Sequence, residues 1–144
     1  MSLKNVQFAV ATHLMVVLAY RSGEEISSRL LADSVNADPT FVRKSLSKLA
    51  KAGLVVTRRG KAGASTLARP SVRITLLDIY RASGSPPAFA SHSYPVESEC
   101  IVSRNFKICM GSVLSEVQDG FERSLSRITL ARLTRRVQKR LPRV

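Results

Sequence analysis

Asp38-Pro39-Thr40-Phe41-Val42-Arg43-Lys44-Ser45-Leu46-Ser47-Lys48-Leu49-Ala50-Lys51-Ala52-Gly53 holds a complete set of helix start and stop signals. Asp38 offers a side-chain oxygen to the first free backbone N–H groups, and Pro39 suits the first helical position because it has no N–H to leave unpaired. Gly53 takes up the left-handed conformation that ends a helix at low cost. Val42, Leu46, Leu49 and Ala50 recur at spacings of three and four and form an apolar stripe. The other side carries Thr40, Arg43, Lys44, Ser47, Lys48 and Lys51, a face with cations and no acid. We read it as a recognition helix. Lys48 and Lys51, late in it, look like backbone or solvent charges, whereas Thr40, Arg43, Lys44 and Ser47 near its start are placed to read bases.

Upstream, Ser27 or Ser28 caps a shorter helix whose Leu30, Leu31 and Val35 face inward. Two short helices joined by a tight turn, the second basic outside and apolar inside, are the sequence form of a helix-turn-helix. Before them, Asn5 to about Arg21 is a helix apolar on nearly all sides and therefore buried on several. Gly23 ends it, and Glu24-Glu25-Ile26 reads as a link. Downstream, Leu54 to Arg58 is rich in β-branched residues, Arg59 to Ala64 is a glycine-bearing turn, and Ser65 to Ala68 returns as a second strand. A hairpin directly after a recognition helix is a wing, which brings Arg58, Arg59 and Lys61 beside the phosphates or the minor groove. Pro70 breaks the strand, Val72-Arg73-Ile74 reads as a short third strand, and Thr75 caps a brief helix to Ala82.

Residues 1–82 thus form a winged helix-turn-helix domain, and 83–100, rich in Ser, Pro and Ala, a flexible loop. Residues 101–128 form a long helix with Phe106, Met110, Val113, Val117 and Phe121 along one stripe. Such a helix needs a partner surface, and the economical one is its copy in a second subunit, since two-fold dimers suit two half-sites. Residues 129–144 are a short helix capped by Thr129 and a basic, solvated tail, which can also add non-specific phosphate contacts. The expected fold is mainly α, with a small β-hairpin wing and a long C-terminal dimerisation helix.

The chain has 144 residues and a formal charge of +13, a surface that attracts polyanions. Two cysteines do not make a disulfide framework, and no signal peptide is visible at the N-terminus; both point to a reducing cytoplasm. The most apolar run, Val6 to Tyr20, is too short and too interrupted to span a bilayer. No Gly-rich phosphate loop and no nucleophile with a nearby base support catalysis. Cys100, near a helix N-terminus and Arg104 but opposed by Glu97 and Glu99, is a candidate redox sensor, with Cys109 a second thiol in the apolar stripe. His13 reads as partly buried and hydrogen-bonded, and His92 as a loop residue without a partner. No metal site and no cofactor are expected.

Four segments together carry a family resemblance: Phe8-Ala9-Val10-Ala11-Thr12-His13-Leu14, Val42 through Val55, the turn Arg59 through Ala64, and Ile74 through Ala82. In order and spacing they resemble the Rrf-two family of bacterial winged-helix transcription regulators, relatives of IscR, NsrR and CymR, over residues 3 to about 133. The nearest look is to the cluster-free, YwnA-like branch, in which a single Cys opens the long helix, as Cys100 does here. The resemblance implies a homodimer on a partly palindromic operator of double-stranded DNA, acting as a repressor. Ser28, Thr40, Arg43, Lys44, Ser47, Lys48, Arg58, Arg59 and Lys61 are the expected DNA contacts. Cluster-binding members use three cysteines where this chain has two, which weighs against an iron-sulfur site, and Gly63-Ala64 replaces the more usual Gly-Gly. The competing reading is a basic winged-helix adaptor for proteins or membrane surfaces, without operator specificity.

Overall fold

The computed structural model describes residues 6–58 and 63–140. Its axle is α1 (Gln7–Tyr20), whose Ala11, Leu14, Met15 and Leu18 are buried and which touches four other helices. Burial on several sides follows from its lack of a polar face, and the one buried hydroxyl on it, Thr12, donates to the Phe8 carbonyl at 2.8 Å.

The link expected at Glu24-Glu25-Ile26 contains a strand, β1 (Ile26–Ser27). It pairs antiparallel with β3 (Ala64–Leu67), which pairs in turn with β2 (Val55–Arg58), so the wing is a three-stranded sheet in the order β1-β3-β2. Two residues show no alternation for a sequence reading to detect; Ile26 alone is driven inward.

Ser27, not Ser28, caps α2 (Ser28–Val35), accepting from the Leu30 N–H at 3.1 Å. Asn36 closes α2 in the left-handed conformation, at φ 59°. The recognition helix, α3 (Pro39–Lys51), starts as its signals require, with the Asp38 carboxylate accepting from the Thr40 N–H at 2.7 Å. Gly53 turns the chain at φ +77°, and the Leu54 N–H reaches back to the Leu49 carbonyl at 3.0 Å. Val42, Leu46 and Leu49 are buried.

Val72-Arg73-Ile74 is not a strand: residues Ser71–Arg73 form a 3₁₀ turn. Proline sets its entry and only Ile74 points inward, Val72 being 64% exposed, so no inward-outward alternation exists to hold a strand. Thr75 opens α4 (Leu76–Ala82) with a full capping box to Asp78.

Cys100 caps α5 (Ile101–Ser126), and Thr129 caps α6 (Leu130–Lys139). The loop 83–100 has no regular structure but is tied along α5. The Ala88 N–H donates to Gln118 at 3.0 Å, Lys107 donates to the Tyr94 carbonyl at 2.6 Å, and the Glu97 N–H donates to Ser103 at 2.8 Å. His92, expected without a partner, stacks on Phe106 with ring centroids 5.7 Å apart.

The expected short helix is α6, which is packed at its start rather than solvated, while the tail at 141–144 lies outside the described residues. Leu130 is fully buried, α6 packs on α1 and on the 3₁₀ turn, and Thr134 donates to the Leu130 carbonyl at 2.8 Å. Its start is stitched to the start of α4: the Leu130 N–H donates to the Ile74 carbonyl and the Leu76 N–H to the Ile128 carbonyl, both at 2.8 Å.

Candidate nucleic-acid interface

Between α2, α3 and the root of the wing lies a groove of about 760 Å³. Its walls come from three short segments: Ser27, Ser28 and Arg29 at the start of α2; Arg43, Leu46, Ser47 and Ala50 along α3; and Thr57, Gly63 and Ser65 from the sheet. The Ser28 N–H donates to the Gly63 carbonyl at 3.1 Å, holding the wing against the helix-turn-helix. Among the described residues the lining has two guanidinium groups, several hydroxyls and no carboxylate. That chemistry suits phosphate oxygens and base edges.

The structure brings Ser28, Arg43 and Ser47 together in this groove. Thr40 and Lys44 are exposed on the first turns of α3. Arg58 is on β2, where Glu25 holds its guanidinium at 3.0 Å in an exposed ion pair. Arg59 and Lys61 lie outside the described residues. Lys48 is exposed, and its ammonium reaches the Ser83 carbonyl at 3.5 Å, at the C-terminal end of α4, where a cation meets unpaired carbonyls. Sequence reasoning missed Arg29 and Thr57. Arg29 follows the cap by two residues, and its signal was a lone cation in the first turn of a helix with few charges.

The apolar stripe on α5 divides in two. Phe106, Val113 and Val117 are 41%, 51% and 45% exposed, and Met110 is half-buried, so this part faces outward in the single chain. Phe121 instead packs edge-on against Tyr80, with centroids 5.2 Å apart, and Tyr80 packs likewise on Phe8. Phe121 is therefore partly buried against its own domain's core. Tyr80 also donates to the Pro86 carbonyl at 2.7 Å and accepts from Gln118 at 3.1 Å, fixing α5 to the domain.

Cys100 is exposed and its sulfur accepts from the Ser103 N–H at 3.4 Å; Cys109 is exposed as well, outside any core. His13 is exposed and bonded to the Ser34 hydroxyl at 3.1 Å.

The family model for the Rrf2 "Iron-dependent Transcriptional regulator" matches residues 5–136. The chain belongs to the Rrf2 family. It is similar to the HTH-type transcriptional regulator YwnA of Bacillus subtilis, 34% identical over 123 residues that cover 85% of this chain and 90% of that one. A transcriptional regulator from Lactobacillus plantarum has the same fold, with a TM-score of 0.79 at 22% identity over 94% of this chain and 92% of the other. CymR, the global cysteine regulator of B. subtilis, superposes with a TM-score of 0.66 at 23% identity over 93% and 97% of the two chains. The Rrf-two resemblance and the winged-helix fold are thus confirmed, and this Rrf2 protein is a DNA-binding transcription regulator.

The family's description names iron, so the donor set matters. Within the chain, Cys100 and Cys109 are roughly 13 Å apart along α5 by helical rise. Among the described residues no three of His, Cys, Asp and Glu converge on a point. These residues do not fit an iron or iron-sulfur site built from one chain. Among the described residues no helix is long and apolar enough to cross a membrane.

Proposed function

We propose that this Rrf2 regulator acts as a homodimeric repressor on a partly palindromic operator, in the cytoplasm, with binding rather than catalysis as its work. The observation that carries the reading is the acid-free groove between α2, α3 and the wing. In it, Arg43 pairs bidentately with a guanine, and Thr40, Lys44 and Ser47 meet neighbouring base edges. Ser28, Arg29 and Arg58 take phosphates, with Arg59 and Lys61 from the wing turn alongside. The outward stripe of α5, Phe106 through Val117, packs on its mate. Two copies of α3 are then set about 34–36 Å apart, one turn of duplex. Cys100, exposed at the start of that helix, is the residue through which oxidation would reach the dimer.

Fluorescence anisotropy against the duplex upstream of the protein's own gene, beside a scrambled duplex, tests the reading. The expected result is a preference for the former of roughly a thousandfold or more and a steep fall with salt. Equal affinity for both would remove operator recognition. Loss of preference after peroxide treatment in the parent but not in Cys100→Ser would support the thiol's role; equal loss in both would remove it.

A further inference from the structure

On the far side of α2 from the DNA groove is a second concavity, of about 590 Å³, between α1, α2 and α6. Val16, Val17, Leu30, Leu133 and Val137 make its walls, and among the described residues the lining contains no carboxylate. Leu30 and Val137 are 38% and 43% exposed, apolar surface that the single chain leaves open. The polar groups at its margin are few, and among the described residues Arg21 carries the one cationic group there. Ser34 and His13 share a hydrogen bond at 3.1 Å. Arg21 gives one N–H to Glu24 at 2.9 Å and has further N–H groups on the same fork. An apolar cleft of a few hundred Å³ with a few polar groups at its edge is the usual form of a small-molecule site.

What gives this cleft meaning is the wall it shares. Along the two turns of α2, Ser28 and Arg29 line the DNA groove, while Leu30 and Ser34, one turn apart, line the apolar cleft. Leu31, Ala32 and half-buried Val35 face the core from this helix. A molecule lodged against Leu30, or one that takes the Ser34 hydroxyl from His13, therefore acts on the same short helix that presents Arg29 to DNA.

We propose that the cleft between α1, α2 and α6 is an effector site for a small, mostly apolar acid, and that filling it weakens DNA binding by moving α2. The acid group accepts from the N–H groups that Arg21 has beyond the one given to Glu24, and the apolar body lies on Val16, Val17, Leu133 and Val137. The second half rests on the DNA reading above; the first half does not. Because coupling is reciprocal, DNA must weaken the acid's binding by the same factor.

The test uses the full chain and two dyes of similar shape, anilinonaphthalene sulfonate, which is anionic, and phenylnaphthylamine, which is not. Expected is saturable fluorescence enhancement by the sulfonate at one site per chain. Ala9→Phe, at an exposed position on the cleft wall, fills it and lowers the affinity of both dyes by about tenfold or more. Arg21→Gln lowers the sulfonate's affinity and leaves the neutral dye's unchanged. Saturating sulfonate weakens binding to the upstream duplex by about fivefold or more in the parent and not in Ala9→Phe. Dye binding indifferent to Ala9→Phe overturns the site. If that substitution instead splits a dimer without touching dye binding, a second copy occupies the cleft and the proposal fails. Dye binding without any change in DNA affinity overturns the coupling. Failure of the dye-free protein to bind DNA would strike the DNA reading and leave the dye result standing.

Discussion

Arg43 and Lys48 both stand on the acid-free face of α3, yet the structure separates them, and paired substitutions measure the difference. Arg43 lines the groove, with no carboxylate among its neighbours there. If it pairs with a base, Arg43→Gln costs about 1–3 kcal/mol on the operator and less on scrambled DNA. Lys48 points away, to the Ser83 carbonyl at 3.5 Å, a bond at the long limit. Removing it in Lys48→Gln forfeits at most about 0.5–1.5 kcal/mol of folding stability and leaves the DNA interface whole. Anisotropy titrations at four or five salt concentrations separate the two. Each cation taken off a phosphate lowers the slope of log affinity against log salt by about 1. Lys48→Gln should leave the slope unchanged, apart from the small long-range effect of net charge. A slope reduced by a full unit in Lys48→Gln, with thermal stability intact, would show the ammonium on DNA and refute its assignment to the end of α4.

Further outcomes follow from burial and backbone geometry. Leu130→Ala, at a fully buried site, should destabilise the fold by about 2–5 kcal/mol in urea unfolding, whereas a solvated tail would tolerate it. Val113→Asp with Val117→Asp, both on the exposed part of the α5 stripe, should give a folded monomer by sedimentation and sharply weakened operator binding; a persistent dimer would place the interface elsewhere. Gly53→Ala meets nothing within 4 Å but must hold φ +77°, so its cost of about 1–2 kcal/mol is torsional. A neutral result in thermal unfolding would contradict that account.

Legibility in the sequence followed the range of the interactions. The ends of α3 were readable because Asp38, Pro39 and Gly53 act on backbone groups within a few residues of themselves. The same holds for Thr75 and Thr129, whose caps are local. The two-residue strand β1 was not readable, because its existence depends on Ser65 and Ala64, far along the chain. The Lys48 contact was not readable for a like reason: its partner is a carbonyl beyond the wing. In α6, Leu130, Leu133 and Val137 do repeat at helical spacing, but the unopposed arginines between them suggested a solvated end. Phe121 shared its spacing with Val117, and only Tyr80 and Phe8 divide them. The groove itself was partly visible. Arg43, Ser47 and Ser28 came from pattern, while Arg29 and Thr57 needed the meeting of α2, α3 and the sheet.

The stitch between Ile74–Leu76 and Ile128–Leu130 makes the DNA-binding unit discontinuous in sequence while it is continuous in space. The long helix is then an excursion that leaves after α4 and is returned to the same body by α6. Cutting the gene before residue 100 would not liberate a complete headpiece; it would remove a wall of α1's surroundings. A single proteolytic nick in the exposed part of α5, by contrast, should leave both fragments bound to each other and folded. In the proposed dimer, the reach between two headpieces would be set by this excursion, whose two ends the stitch holds together.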